Sequence, residues 1–245
     1  MTTRVNELEL PIGPQLADWD ARPRPPRAVM QGRYCRVEPL DPDRHATELH
    51  EANSLDREGR MWTYLLSGPF GSFDAYRAWL ESKRGSEDPL FFAFVDATSG
   101  RAVGLGSYLR IDPANGTVEV GHLQYSPLMQ RTAVATEAMY LMMETAFELG
   151  YRRYEWKCDA LNARSRRAAE RLGFTFEGVF RQAVVYKGRN RDTAWFSIID
   201  SEWPLLAAAY RAWLSPTNFD ATSRQLMSLA EARERERSGS IRTGR

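Results

Sequence analysis

A short run of small and polar residues near the middle of the chain could bind an anion. It stands between an apolar strand pattern and an apolar helix pattern. A chain that ends a strand, turns tightly and starts a helix directs several unpaired backbone N–H groups toward one point. The segment therefore predicts a pyrophosphate site, although an ordinary strand-to-helix turn packed with small residues has the same composition. Its residues are Gln130, Arg131, Thr132, Ala133, Val134, Ala135 and Thr136.

A second group of residues follows one predicted helix and one predicted strand later. Asn162 stands at a strand-to-helix junction, and Ser165 follows three positions on. Gly173 and Phe174 come at the end of the same helix pattern. Asn caps helices and Ser favours the first turn, so neither residue alone requires a functional explanation. Their conjunction, at this distance from the turn, is a long-range pattern that capping does not predict.

The two groups together resemble the acyl-CoA-binding motif of the GNAT superfamily of N-acyltransferases. The spacing of Asn162, Ser165, Gly173 and Phe174 is most similar to its branch of ribosomal-protein N-terminal acetyltransferases. The resemblance implies a GNAT fold of the α/β (α+β) class, in which a mixed, mostly antiparallel sheet is splayed at the cofactor site and has helices on both faces. It also implies acetyl-CoA as co-substrate, with its pyrophosphate on residues 130–136, and no metal.

The resemblance implies roles for several residues near the thioester. In this family the Asn contacts the pantetheine arm and the Ser hydroxyl lies near the thioester sulfur, so Asn162 binds cofactor and Ser165 becomes the candidate acid for the leaving thiolate. The family places an oxyanion donor on a main-chain N–H before the phosphate turn. Here that donor falls within Leu123, Gln124 and Tyr125. The reaction itself needs a neutral amine, a stabilised oxyanion and a proton for the thiolate.

Glu119 and His122 are the candidates for the base that receives the proton of the amine. Period-2 alternation places them on opposite faces of one strand unless Gly121 forms a bulge. His122 has the intrinsic pKa nearer neutrality, although a single strand histidine is more often a packing residue. The chain departs from the family pattern at Ala169, where many members have a tyrosine acid, and at Val184, where some relatives have glutamate. A water relay or a different substrate would account for the second departure.

The aromatic residues Trp62 and Tyr64 lie between two predicted helices, where GNAT proteins build the acceptor side. Plain core packing explains them equally well. The resemblance implies direct acetyl transfer, in a ternary complex, to a primary amine of a protein N-terminus or a small molecule. A catalytically silent acyl-CoA-binding regulatory protein is the alternative. A homodimer is left open.

The charge and cysteine content limit the classes of partner and compartment. The chain has 33 Lys and Arg against 32 Asp and Glu, a net charge of +1. No global field would therefore attract nucleic acid or an anionic membrane, and neither partner is expected. Cys35 and Cys158 are too few for a disulfide framework, and no apolar run approaches the ~20 residues of a membrane helix. The sequence indicates a reduced, cytoplasmic setting.

Alternating strand and helix patterns divide the chain into three parts. Residues 1–30 read as an extended Pro-rich arm, 31–214 as the acyltransferase domain, and 215–245 as a polar helix and tail, partly disordered. The predicted strands cover residues 34–40, 90–96, 101–111, 117–125, 153–158, 176–186 and 193–199. The predicted helices cover 43–52, 72–83, 136–149 and 162–172.

Overall fold

A mixed eight-stranded sheet forms the centre of the fold. The computed structural model describes residues 4–243. A separate hairpin of β1 (Arg4–Val5) and β2 (Pro11–Ile12) precedes the sheet strands β3 (Met30–Gln31), β4 (Cys35–Pro39), β5 (Leu90–Asp96), β6 (Ala102–Asp112), β7 (Thr117–Tyr125), β8 (Arg153–Asp159), β9 (Thr175–Tyr186) and β10 (Arg189–Ile199). Their spatial order is β3-β4-β5-β6-β7-β8-β10-β9. All neighbours are antiparallel except β7 and β8, which run parallel.

Helices cover the sheet on two faces, as strand β5 illustrates. Phe91, Ala93 and Val95 point into the core under α1 and α2, which we call the front face. Phe92 and Phe94 point into the larger core under the later helices, which we call the back face. Because both faces are covered, β5 is apolar at nearly every position. The helices are α1 (Pro42–Ser54), α2 (Phe73–Glu81), α3 (Ala133–Glu148), α4 (Ala163–Leu172), α5 (Trp203–Trp213) and α6 (Leu229–Thr243).

The parallel strands β7 and β8 separate part of the way along their length. Their register runs from Thr117 opposite Arg153 to Val120 opposite Trp156. Beyond Val120, β7 continues to Tyr125 paired with β6 alone. We call the resulting wedge the β7–β8 opening. The prediction of a splayed, mostly antiparallel sheet with helices on both faces is confirmed.

The two ends of the chain differ in part from the sequence expectation. The charged composition of helix α6 predicts a solvated helix. The structure instead buries two of its residues, Leu229 and Ala232. Trp19, in the predicted arm, donates from Nε1 to the Ala114 carbonyl at 2.8 Å, which ties the arm to the sheet. Residues 1–3 of that arm and 244–245 of the predicted tail lie outside the described residues. Within the described part, no helix is long and apolar enough to cross a membrane.

Candidate active site

The turn between β7 and α3 presents the first backbone N–H groups of a helix. Thr132 is the N-cap, with φ −108° and ψ 166°, and its Oγ1 accepts from the Ala135 N–H at 3.4 Å. The helix begins at Ala133, so the N–H groups of Ala133 and Val134 precede the first intrahelical bond. Ala133 keeps a helical, negative φ. Its methyl group therefore causes no backbone strain where the family usually has glycine.

The other predicted residues of the turn differ in where their side chains lie. Arg131 has φ 63°, in the left-handed region that favours glycine, and its side chain is exposed. Gln130 donates from Nε2 to the Tyr125 carbonyl at 2.8 Å, which ties the turn to the end of β7. Thr136 is buried, and its hydroxyl accepts from Arg171 at 3.1 Å. The exposed guanidinium of Arg131 is thus the charged group that the turn itself offers to an anion.

A β-bulge in β7 brings the two candidate bases to the same face of the sheet. Ser107 of β6 pairs with Gly121, and Leu105 pairs with Gln124, so two residues of β7 stand opposite one of β6. His122 lies in the bulge and has a left-handed backbone conformation, with φ 52°. The alternation is thereby reset, and His122 lies on the front face with Glu119. The bulge also coincides with the point at which β7 leaves β8.

Hydrogen bonding and burial keep the His122 ring neutral. Its Nδ1 lies 2.8 Å from Ser107 Oγ, which in turn donates to the Gly121 carbonyl at 3.4 Å. Since Ser107 has one proton, His122 Nδ1 carries the proton of the shared bond and Nε2 is left as an acceptor. Burial lowers the pKa of His122 to about 4, and the nearby charge of Lys83 acts in the same direction.

Glu119 forms a buried ion pair on the same face. Lys157 Nζ lies 2.8 Å from Glu119 Oε2 and 3.0 Å from Glu155 Oε2. Lys157 thus holds both carboxylates in ion pairs, and Arg110 Nε lies 3.5 Å from Glu119 Oε2 as well. Burial raises the pKa of Glu119, although Lys157 opposes the effect. Burial therefore moves the two pKa values in opposite directions, that of Glu119 upward and that of His122 downward, so the intrinsic values alone do not rank the two bases.

The Ser165 hydroxyl lies at the narrow end of the β7–β8 opening. It accepts a hydrogen bond from Trp156 Nε1 at 3.0 Å, and Trp156 belongs to the last paired rung of β7 and β8. The Ser165 backbone N–H is capped by Asn162 Oδ1 at 3.1 Å, so the start of α4 is fixed in place. Burial raises the pKa of Cys158, despite the adjacent Ser165 hydroxyl, so this thiol stays protonated.

We expect Asn162→Ala to lower the free energy of unfolding by about 1 kcal/mol, because it removes the N-cap of α4. Asn162→Asp keeps an acceptor at the same position and should retain most of the wild-type stability. Urea denaturation of the three proteins measures the effect. Equal destabilisation by Ala and Asp would show that Asn162 does not act through its cap.

We expect His122 to make the protein less stable as the pH falls from about 6.5 to 4. The unfolded histidine takes up a proton in this window, whereas the folded one stays neutral until its pKa of about 4. The free energy of unfolding then decreases with falling pH, by about 3 kcal/mol at most from this group. Urea denaturation at several pH values should show a shallower decrease for His122→Asn. An equal dependence of the free energy of unfolding on pH in both proteins would show that His122 does not have a lowered pKa. His45 is present in both proteins, so its contribution cancels in the comparison.

The predicted acceptor residues lie in the loop between α1 and α2. Trp62 packs edge-on against Phe70, with ring centroids 5.4 Å apart, and lines a cavity of about 340 Å³. Tyr64 donates its hydroxyl to the Leu161 carbonyl at 3.4 Å, which joins the loop to the start of α4. Lys187, at the β9–β10 turn, donates to the Trp62 carbonyl at 2.8 Å. These two bonds hold the middle of the loop, and Trp62 itself is largely a buried packing residue.

A buried polar network connects this cavity to the strand that was predicted to supply the oxyanion donor. Gln124 Oε1 accepts from the Tyr76 hydroxyl at 3.1 Å and from Asn53 Nδ2 at 3.4 Å. Asn53 and Tyr76 both line the cavity. Leu123 and Tyr125 instead pack against the back-face core. Side chains on both faces therefore hold this part of β7, while its edge toward β8 remains unpaired.

Sequence reasoning missed several polar residues that surround the opening. On β8, Glu155 and Lys157 alternate with Tyr154 and Trp156, which is the period-2 pattern of a strand with one polar face. That alternation could have indicated that the front face of β8 is not covered by a helix. Trp156 carried no comparable signal, because its bond to Ser165 depends on how α4 packs beside β8.

The sequence and the fold match those of known acetyltransferases. The family model of the acetyltransferase (GNAT) domain matches residues 35–175. The crystal structure of a GCN5-related N-acetyltransferase from Brucella melitensis is 50% identical, covers 89% of this chain and 100% of its own, and has a TM-score of 0.88. The crystal structure of a probable acetyltransferase (GNAT family) from Chromobacterium violaceum is 42% identical, covers 80% of this chain and 98% of its own, and has a TM-score of 0.74.

A further solved structure is similar in fold alone. The ribosomal L7/L12 alpha-N-protein acetyltransferase RimL is 20% identical, with coverage of 70% of this chain and 94% of its own and a TM-score of 0.60. No curated protein matches the chain. Because the family model spans more than half of the sequence and the two relatives above exceed 40% identity, the chain belongs to the GNAT acetyltransferase family.

Proposed function

We propose that the protein transfers an acetyl group from acetyl-CoA directly to a primary amine, in a ternary complex without a covalent enzyme intermediate. The observation that carries this proposal is the β7–β8 opening, which has the N-terminus of α3 at its wide end and the Ser165 hydroxyl at its narrow end. The amine belongs to a protein N-terminus or a small molecule. RimL, which is similar in fold, is named for action on a ribosomal protein.

The residues around the opening fit the chemical parts of acetyl-CoA. The N–H groups of Ala133 and Val134, with the exposed guanidinium of Arg131, suit a pyrophosphate. The unpaired edge of β7 beyond Val120 suits the two amides of pantetheine, which can pair with a strand as another strand would. Asn162 is the N-cap of α4, where the pantetheine arm would pass. This complementarity of charge and hydrogen bonding supports acetyl-CoA as the donor.

The front-face residues fit the proton transfers that the reaction needs. Acetyl-CoA supplies an activated carbonyl. Trp156 occupies one lone pair of Ser165, so the hydroxyl proton of Ser165 is free to be donated to the leaving sulfur. Glu119 has the raised pKa that suits a base and lies on the face from which an amine would approach. His122 stays neutral beside it. Backbone N–H groups within residues 123–125 would stabilise negative charge on the carbonyl oxygen.

The silent acyl-CoA-binding alternative is favoured by two positions. Ala169, where many members of the family have a tyrosine acid, is fully buried in the back-face core and offers no polar group. Val184 lies on β9 in place of a carboxylate. Isothermal titration with CoA and acetyl-CoA, followed by a CoA-release assay over a broad panel of amines, separates the two functions. Binding with turnover supports the enzyme, binding without turnover supports the alternative, and no binding at millimolar CoA contradicts both.

A further inference from the structure

Three hydrogen-bond donors on β10 have no partner within residues 4–243. They are Arg191 Nε, Thr193 Oγ1 and Trp195 Nε1, and we call them the β10 donor row. All three atoms are buried, and Thr193 as a whole is 5% exposed. Alternate residues of a strand point to the same face. A buried donor without a partner is unfavourable, so a row of them indicates a ligand that supplies acceptors.

The β10 donor row lies beside the β7–β8 opening on the front face. Trp195 is the cross-strand partner of Lys157, and Thr193 is the partner of Asp159. Lys157 follows Trp156, the last residue of β8 that pairs with β7. Paired neighbouring strands are about 4.8 Å apart and β7 and β8 diverge beyond Val120, so the row lies at least about 7 Å from the middle of the opening. Glu119 lies on β7 just before the point at which the opening begins, and it contacts Lys157 of β8.

This part of the front face lies outside the core that α1 and α2 form with the sheet. Among the described residues, the core under α1 and α2 includes none from β8, β9 or β10. Phe180 of β9 packs against Trp195, with ring centroids 4.7 Å apart, and is itself 57% exposed. An acceptor that enters from this side would therefore meet the donor row before it reaches the opening.

The charged groups around the row favour an anionic ligand group. Arg110 lies 5.7 Å from the Trp195 ring and 3.5 Å from Glu119, while Lys187 of the β9–β10 turn and Arg189, the first residue of β10, add two cations near Arg191 in the chain. Lys157 lies over the Trp195 ring at 3.4 Å, but two carboxylates already neutralise it. The nearby carboxylates are also engaged: Asp159 accepts from the Tyr186 hydroxyl and Asp192 from the Gln182 N–H, both at 2.7 Å. Glu119 Oε2 is held by Lys157 and Arg110 in ion pairs, so among the described residues the groups of this surface that remain without a partner are the β10 donors.

We propose that the β10 donor row binds an anionic oxygen group of the acceptor, so that the acceptor is an amine which also carries a carboxylate. This inference rests on the proposed function, because it assigns the substrate class of the same site. The separation of the row from the opening sets the length of the acceptor. In an α-amino acid the nitrogen and carboxylate oxygens are only about 3 Å apart. The distance of roughly 7 Å therefore favours a carboxylate that is several bonds farther from the amine.

A series of ω-amino acids tests the inference when each acid is compared with its own amide. The pairs are glycine with glycinamide, β-alanine with β-alaninamide, γ-aminobutyrate with γ-aminobutyramide, and δ-aminovalerate with its amide. We expect kcat/KM for the acid to exceed that for the amide by about 10-fold or more in the longer pairs. Thr193→Val should reduce this ratio toward one. Thr175→Val, on the exposed part of β9, is the matched control and should leave the ratio unchanged.

Binding to the row can also be measured without turnover. The indole N–H resonance of Trp195, identified by its loss in Trp195→Phe, should shift on titration with δ-aminovalerate and not with its amide. Equal use of acids and amides, or a preference for acids that survives Thr193→Val, would overturn the inference. A Trp195 indole resonance that does not shift on titration with δ-aminovalerate would overturn the inference as well. If no amine is acetylated, the proposed function fails, and the indole titration still decides whether the row binds an anion.

Discussion

Ser165→Ala is expected to lower the turnover number by about 100-fold or less and to leave the affinity for CoA nearly unchanged. The hydroxyl accepts from Trp156 Nε1 at 3.0 Å, so its own proton can be donated to the leaving sulfur. Removal of that proton leaves the sulfur to depart as a free thiolate, while the pyrophosphate and pantetheine contacts remain. Steady-state kinetics with acetyl-CoA and isothermal titration with CoA measure the two quantities separately.

Two further variants control for structural effects of this change. The alanine leaves Trp156 Nε1 without its partner, which costs about 1–3 kcal/mol of stability, so thermal unfolding must accompany the kinetics. Ser165→Thr keeps a hydroxyl and should recover most of the rate. Trp156→Phe removes the orienting N–H together with part of a buried ring, and with its stability checked it should lower the rate by a few-fold. An unchanged turnover number in a folded Ser165→Ala protein would exclude Ser165 from the mechanism.

Ala133→Pro should weaken CoA binding by about 10- to 100-fold with little loss of stability. Proline is well tolerated at the first position of a helix, and Thr132 already has the extended backbone that a residue before proline prefers. The substitution removes one N–H group from the proposed pyrophosphate site. A hydrogen bond to a charged group contributes about 1.5–3 kcal/mol, which corresponds to this range of affinity. Isothermal titration with CoA and urea denaturation test both parts.

Ala133→Gly is the matched control for the proline variant. It keeps the N–H group and removes only the methyl group, and it introduces the glycine that the family usually has at this position. We expect its affinity for CoA to equal or exceed that of the wild type. If the Pro and Gly variants bound CoA equally well, the backbone of this turn would not hold the pyrophosphate.

Local patterns predicted the elements that position the site. The predicted bounds of β5 and β7 agree with the structure, because strand alternation and turn residues specify them locally. Asn162 was predicted as the N-cap of α4, and its Oδ1 accepts from the Ser165 N–H. Helix α3 begins at Ala133, three residues earlier than predicted, because Thr132 supplies the cap. Such features depend on residues within about one helical turn of each other.

Contacts between distant segments decided the chemistry that the patterns left open. The bulge at His122 depends on the register between β6 and β7, and it placed His122 and Glu119 on one face. Burial then raised the pKa of Glu119 and lowered that of His122, which no intrinsic pKa could indicate. The bond from Trp156 to Ser165 requires α4 to pack beside β8.

The packing of the C-terminal helix α6 also depends on distant segments and not on a local pattern. Its charged composition indicated a solvated helix, yet Leu229 and Ala232 of α6 are buried. Two apolar residues among many charges carry almost no periodic signal, and their burial depends on the surface that α4 and α5 provide. Sequence patterns measure only the average environment of a helix face.

The sequence by itself determined the order of strands and helices from β4 to β10, the small-residue turn with its helix N-terminus, and the family resemblance, whereas helix α5 was not predicted. These depend on backbone propensities and hydrophobic periods that neighbouring residues impose. Only the tertiary structure decided which side chains share the front face, which of them lose water, and which donors on β10 lack a partner. Those properties arise when strands distant in sequence set their register and helices cover one surface but not another, because desolvation and hydrogen bonding depend on distance in space.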